Sequence, residues 1–324
     1  GGGVAQCTLP LLVRDVGIDP TTITVVDFVD NRERISDLLA QGVKWETGRV
    51  TPENLDEFLS ARLSNGDLLL DLAWNIDANT ILTWCHDNGV RYLNTSVELW
   101  DPYENMADVH PLERTLYVRH QSLTRMIESW GTNNGPTAVL EHGANPGLVS
   151  HFVKQALLEI SNKILTDGMA GDRKAAFEEA LANNEFNKLA MLTGTKVIHI
   201  AERDTQITNQ PKQVNEFVNT WSVDGFYEEG IAPAELGWGT HEKRLPPRGY
   251  KHDDDGPSNQ ICIAQPGMNT LVRTWVPAGE SLGMVIRHGE AYTMCKHLTV
   301  KDANGNDIYR PTVHYAYCPS NEAI

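Results

Sequence analysis

Between residues 21 and 142, short apolar runs alternate with stretches of helical character, and this alternation limits the folds open to the chain. Residues 21–28 (TTITVVDF) read as a β-branched strand with Asp27 near its end. Residues 68–74 (LLLDLAW) form a near-continuous apolar run, the pattern of a strand buried on both faces. Residues 90–95 (VRYLNT) and 136–142 (PTAVLEH) read as further strands. Helices are expected between them: 4–16, one opening at Thr51 and Pro52, 77–88 closed by Gly89, and 110–130. Strands spaced by helices imply βαβ units and a parallel sheet.

The start of the chain sharpens that expectation. Gly1, Gly2, Gly3, Val4 and Ala5 precede the helical pattern of residues 4–16. Glycines at a strand-to-helix turn let a dinucleotide pyrophosphate approach the amides of a helix N-terminus. Asp27 follows about twenty residues on, where an acid is expected to hold the adenosine ribose. An acid there, in place of a base, favours NAD over NADP. The strand that should precede the glycines is absent, and residues 315–320 (YAYCPS) are still rich in packing residues, so both ends read as cut from a longer polypeptide. The expected class is α/β: a Rossmann-type parallel sheet without its first strand, followed by a second α+β domain for substrate and dimerisation. The expected divisions are 1–144, 145–305 and 306–324, the last packing back on the first domain.

After Pro146 the pattern changes. Residues 147–165 and 174–192 read as two helices and 196–201 (KVIHIA) as a strand. Residues 244–256 (RLPPRGYKHDDDG) read as a loop. From residue 259 onward the runs QICIAQ, TLVRTWV, GMVIRH and KHLTV suggest an antiparallel sheet.

Composition narrows the partners. The 324 residues carry 43 acids against 27 bases, a net charge of -16. Such a surface disfavours nucleic acid, whose phosphates need clustered Lys and Arg, and draws in cationic ligands. Five scattered cysteines without a CxxC pair argue for a reducing, cytoplasmic setting and against structural zinc. No apolar run reaches membrane-spanning length and no signal peptide is seen.

Residues 199–242 carry the chemistry. Glu202, Asp204, Asp224, Glu228, Glu229 and Glu235 are interleaved with Trp221 and Trp238. Carboxylates pair with ammonium groups and an indole face attracts a cation, so the segment suits a small organic cation.

Five blocks then carry a family resemblance: residues 143–152 (GANPGLVSHF), 199–206 (HIAERDTQ), 217–222 (FVNTWS), 233–240 (PAELGWGT) and 309–317 (YRPTVHYAY). The chain closely resembles the bacterial homospermidine synthases, within the wider saccharopine dehydrogenase-like group. The resemblance implies retained NAD, oxidation of putrescine (or spermidine) to an imine, exchange of ammonia for a second putrescine, and re-reduction to sym-homospermidine. It implies a homodimer or higher oligomer. It places Glu98, Glu202, Glu229 and Asn75 against the diamine, and Trp221 against cationic intermediates. It places Asn145 near the nicotinamide and His288 in the cleft. Asn75, Thr95, Ala144, Asn145 and Pro146 join the glycines, Val4 and Asp27 as cofactor positions. Trp100, Glu235 and Trp238 read as supporting residues. One departure stands out: relatives carry an acid at the position of Asn75, and Asp77 is the nearby carboxylate that could compensate. A competing reading is a saccharopine- or carboxynorspermidine-type dehydrogenase, which would need a basic anchor such as Arg203, Arg273 or Arg287. A non-catalytic polyamine- or nucleotide-binding protein is a third.

Overall fold

A computed structural model describes residues 2–132, 134–252, 260–277 and 279–320. Gly1, residues 253–256 of the expected 244–256 loop, and residues 321–324 lie outside the described set. The chain divides into two compact units, Gly1–Pro102 with Gly131–Leu140, and Tyr103–Trp130 with Glu141–Ile324.

The first unit holds the parallel strands. Thr24–Asp27 pairs with Lys44–Thr47, and Leu68–Asp71, Arg91–Asn94 and Ala138–Val139 form a second parallel set. Leu68–Asp71 is the edge of its set and is only half-buried, with Leu68 48% exposed, so the expectation of burial on both faces fails. The first helix spans Gly3–Leu11 rather than reaching residue 16. Pro10 has no amide to continue the ladder, and a wider turn over Leu12–Val16 leads to Gly17 at φ 78. Leu9 packs on Val25, Ile35, Leu38 and Val43. Thr51 sits a turn too early to be a cap, because its helix is Leu55–Ser60. Helix Ala78–Asn88 matches its signals: the Asp77 carboxylate accepts from Thr80 N and Gly89 closes it at φ 70.

The second unit is a mainly antiparallel seven-stranded sheet with helices. Gly279–Met284 joins Leu271–Val276 to Thr312–Cys318, which leads on to Pro233–Gly237, Gln260–Pro266 and Gly249–Lys251. Val197–Arg203 lies parallel along Thr312–Cys318, pairing Ile200 with Tyr315 and Glu202 with Tyr317. Helix Leu148–Thr166 sends Val149 and Val153 onto the cluster of Ile200, Tyr315, Tyr317 and Phe226. Lys174–Ala182 and Phe186–Thr193 are separate helices, not one, because Asn184 turns left-handed at φ 53 between them. Phe177, Leu189 and Leu157 form their core.

These units do not coincide with divisions at 144 and 305. Helix Leu116–Ser129 belongs to the second unit, since the Glu235 carboxylate accepts from Leu116 N and from Tyr117 N at 3.1 Å. Thr312–Cys318 is an inner strand of the second unit's sheet, buried at every position. Pro111–Arg114 is a short 3-10 turn, so the long helix starts later than residue 110. Gly249–Lys251 pairs as a strand within the segment expected to be a loop. The GMVIRH run leaves the sheet after Met284, and residues 296–297 end helix Gly289–His297.

Candidate active site

In the second unit the strand pair Val197–Arg203 and Thr312–Cys318 sets the geometry. Alternation along the strands puts Ile200, Tyr315 and Tyr317 in one apolar cluster, with His199 and His314 out of phase with them. The Tyr315 hydroxyl donates to Glu202 Oε2 at 2.7 Å, and Asn145 Nδ2 donates to the same oxygen. Both expected residues, Asn145 and Glu202, therefore meet at one carboxylate. Asn145 is placed there by the turn that starts helix Leu148–Thr166. Gly147 makes the turn at φ +125, where a Cβ would stand 2.7 Å from Gly143 O. Ala144 and Pro146 belong to the same turn, whose carbonyls accept from Val149 N and Gly143 N.

His288 stacks on Tyr315, with ring centroids 4.0 Å apart and planes 26° off parallel. Its Nδ1 hydrogen-bonds to Glu290 Oε2, and Glu290 Oε1 accepts from Gly147 N at 3.1 Å. Burial pulls the His288 imidazole down. The Glu290 hydrogen bond and the charges of Glu290, Glu229 and Glu141 outweigh that, so it titrates above the usual histidine range. Glu229 is half-buried, and its charge is felt by Arg287, His288 and Tyr315. Burial, with the charge and hydrogen bond of Glu202 next, raises the Tyr315 hydroxyl far above the ordinary tyrosine range, so it stays protonated as a donor.

Trp221 lies just before helix Val223–Ile231, whose N-cap is Ser222. Its indole rests against Gly225, where a Cβ would stand 2.8 Å from Cζ3. It is 49% exposed, so about half of the side chain remains open to solvent. The link to the carboxylate is Tyr317, two positions along the strand from Tyr315. Burial pushes Tyr317 up to about 12, against hydrogen bonds from Thr220 and Trp221 and with the charges of Asp204 and Glu202.

Glu228 and Glu229 are not interchangeable. Glu228 is buried and accepts from Arg119 at 2.7 Å and from Arg287. Burial opposes its charge, but Arg287 and Arg119 hold it below the usual carboxylate range. Of the candidate basic anchors, Arg287 is thus committed to Glu228 and Arg273 to Glu280 at 2.7 Å, while Arg203 is exposed at its strand end. Glu235 acts as a helix cap, as its supporting reading requires.

The first unit holds the remaining expected residues. Gly2 is the N-cap of helix Gly3–Leu11 without any side-chain cap, and among the described residues a Cβ built at Gly2 or Gly3 would meet nothing within 4 Å beyond its chain neighbours and the helix's own backbone. Val4 is exposed in the first turn. Asp27 ends its strand, accepting from Val29 N at 3.0 Å and Asn31 Nδ2 at 3.3 Å. An uncovered glycine turn and a strand-end acid fit a dinucleotide's pyrophosphate and ribose. Asn75 turns left-handed at φ 58, and its buried Oδ1 has no hydrogen-bond partner among the described residues. Asp77, the nearby carboxylate, caps helix Ala78–Asn88 through one oxygen, Oδ1, which accepts from Thr80 N and Oγ1 at 2.8 and 2.7 Å. Thr95 follows strand Arg91–Asn94, and the Glu98 carboxylate accepts from Ser96 Oγ at 2.7 Å.

Sequence reasoning assigned no role to Tyr315, Tyr317, Glu290, Glu141 or Asp71. The spacing of Tyr315 and Tyr317 in a strand was the available signal, since it puts both on one face. Glu141 pairs with His120 at 2.8 Å. Asp71, at a strand's carboxyl end, accepts from Tyr92 OH at 2.8 Å and is raised by burial, against its hydrogen bonds. Among the described residues no group of three or more His, Cys, Asp or Glu is placed to hold a metal ion, and no helix is long and apolar enough to cross a membrane.

Comparison with known proteins places both halves. Residues 1–139 match the saccharopine dehydrogenase NADP binding domain, and residues 143–324 the saccharopine dehydrogenase C-terminal domain. The chain is 38% identical to a homospermidine synthase of Blastochloris viridis over 327 residues, covering all of this chain and 66% of that protein. A homospermidine synthase of Mesorhizobium japonicum is 38% identical over 329 residues, with 65% of its length covered. The crystal structure of the homospermidine synthase from Legionella pneumophila in complex with NAD superposes with a TM-score of 0.79 at 35% identity, over 98% of this chain and 64% of that one. The chain therefore spans just under two thirds of the length of these relatives.

Proposed function

The chain belongs to the saccharopine dehydrogenase family, and from that membership we propose that it catalyses a homospermidine synthase reaction, joining two putrescines into sym-homospermidine with release of ammonia. Spermidine is a further aminobutyl donor in this reading. The observation that carries it is the Glu202 carboxylate, fixed by Asn145 and Tyr315 beside His288 and within the reach of Glu229's charge. A diamine needs an anion for each ammonium and an apolar or aromatic middle, and these residues provide that pattern. Glu202 takes one ammonium, Glu229 the other, and Trp221 faces the cationic carbon–nitrogen centre. Asn145 orients Glu202. His288, kept protonatable by Glu290, holds a proton on an imidazole stacked against the Tyr315 ring. By the family resemblance Glu98 and Asn75 are further diamine positions, and Gly1, Gly2, Gly3, Val4, Asp27, Asn75, Thr95, Ala144, Asn145 and Pro146 are the NAD positions. When bound, NAD accepts hydride from the amine-bearing carbon and returns it, so the reaction has no net redox change.

Two further readings accompany it. The exposed apolar side chains Leu271, Trp275 and Leu282 on one strand hairpin support a homodimer, which sedimentation of the purified chain tests. None of the five cysteines forms a disulfide in the structure, which supports a cytoplasmic setting.

The experiment is incubation with putrescine and catalytic NAD. Homospermidine and ammonia in equal amounts, without NADH accumulation or loss, are expected. A chain that binds NAD and diamine yet makes no homospermidine refutes the proposal. Stoichiometric NADH consumption would instead favour the dehydrogenase reading.

A further inference from the structure

The segment that leads into the Asn145 turn begins with a residue in an uncommon conformation. Glu141 takes a left-handed backbone at φ 51, which a residue with a side chain rarely holds unless its surroundings fix it. Its carboxylate is buried, and Oε2 lies 2.8 Å from His120 Nε2 on helix Leu116–Ser129. Burial opposes the charge, but His120, His288 and Arg119 outweigh it, so Glu141 titrates below the usual carboxylate range.

The same carboxylate meets Gly289, the first residue of helix Gly289–His297. A Cβ there would stand 3.1 Å from Glu141 Cδ and collide with Oε2. Gly289 does not have a left-handed backbone, so its missing side chain serves space rather than conformation. Gly289 also joins His288 to Glu290, whose side chains hydrogen-bond to each other. We propose that Glu141 is a positioning residue: anchored by His120, it braces the backbone at Gly289 and so holds the His288–Glu290 couple against Tyr315. This deepens the function proposed above and rests on the role given there to His288.

Charge follows the same geometry. His288 is faced by Tyr315 from strand Thr312–Cys318, by Glu290 from its own helix, by Glu229 from helix Val223–Ile231 and by Glu141. The adjacent Arg287 turns instead to Glu228. An imidazole that keeps and releases a proton needs a fixed orientation and a negative surround. Glu290 supplies both by direct contact, and Glu141 supplies both through the Gly289 backbone and its own charge.

The test titrates the His288 imidazole by NMR on the whole chain with labelled histidines, its resonance assigned by its loss in His288→Gln, beside the pH profile of turnover. Glu141→Gln keeps the shape and removes the charge, so the His288 titration and the alkaline limb of turnover are both expected about one pH unit lower. Gly289→Ala is expected to lower turnover roughly tenfold by pushing Glu141 off its seat. Glu141→Asp in that same variant, one methylene shorter, is expected to restore part of the loss. A residue that only stabilised the fold would lower turnover at every pH without moving the limb. Glu141→Gln with His288 titrating where the parent does would overturn the proposal, as would a Gly289→Ala loss that Glu141→Asp leaves untouched. Should Glu141→Gln unfold, the Gly289→Ala pair decides alone. The titration requires no turnover, so a chain that makes no homospermidine refutes the proposed reaction, and the His288 resonance still decides the role of Glu141.

Discussion

His314 offers a sharp quantitative test, because it sits on the strand that carries Tyr315. Its ring lies 4.4 Å from that of His199, its partner across the parallel ladder. His314 is 9% exposed, and neither ring nitrogen has a hydrogen-bond partner among the described residues. Burial lowers His314 from 6.5 to about 4, with the His199 charge adding to it. The unfolded chain therefore binds the proton more readily than the folded one. Stability is full above 6.5 and drains away as pH falls toward about 4. Between about pH 7 and about pH 5 this one group removes about 2 kcal/mol. His314→Phe keeps a ring on His199 but takes up no proton. Urea unfolding at the two pH values should show the variant losing about 2 kcal/mol less than the parent across that interval. Because Glu202 and Tyr315 lie on the same strands, diamine binding should also fade less on acidification in the variant. Parallel pH profiles for parent and variant, or an imidazole resonance of His314 titrating near the ordinary histidine value, would refute the reasoning.

Two other outcomes follow from named contacts. Gly147→Ala forces a Cβ against Gly143 and His142 at a φ of +125, so a melting scan should show a loss of about 1–3 kcal/mol, together with weaker diamine binding through Asn145; an unchanged melting point would count against the turn's role. Trp221 is half-exposed, so its cation–π contribution falls at the lower end, about 0.5–1 kcal/mol, and Trp221→Ala should weaken diamine binding by roughly two- to fivefold while Trp221→Phe keeps most of it; equal losses in the two variants would remove that role.

Much of the fold was legible where local chemistry decides it. Asp77 and Gly89 bracket helix Ala78–Asn88 as their residue types require, and the alternation of residues 21–142 reports parallel pairing. Elsewhere a local signal was underweighted: Pro10 ends one ladder early and Asn183 with Asn184 breaks another, both written in the sequence. The remainder depends on distant partners. Nothing in residues 110–130 announces that the first amides of their helix donate to Glu235. The inner position of Thr312–Cys318 depends on neighbours more than seventy residues away. The site divides in the same manner. Glu202, Asn145 and His288 were singled out as types in a familiar order. Tyr315 and Glu290, which orient them, gain meaning only once the strands are side by side. Glu228 and Glu229 are identical in the sequence and separated only by which face of helix Val223–Ile231 each occupies.

The carboxylate that caps helix Leu116–Ser129 is made 119 residues after the first amide it serves. While the polypeptide is being synthesised, that helix start has only water to satisfy it, so its opening turn frays until strand Pro233–Gly237 arrives. The helix's opening turn is thereby coupled to chain length: its cap exists only once the later strand has been made.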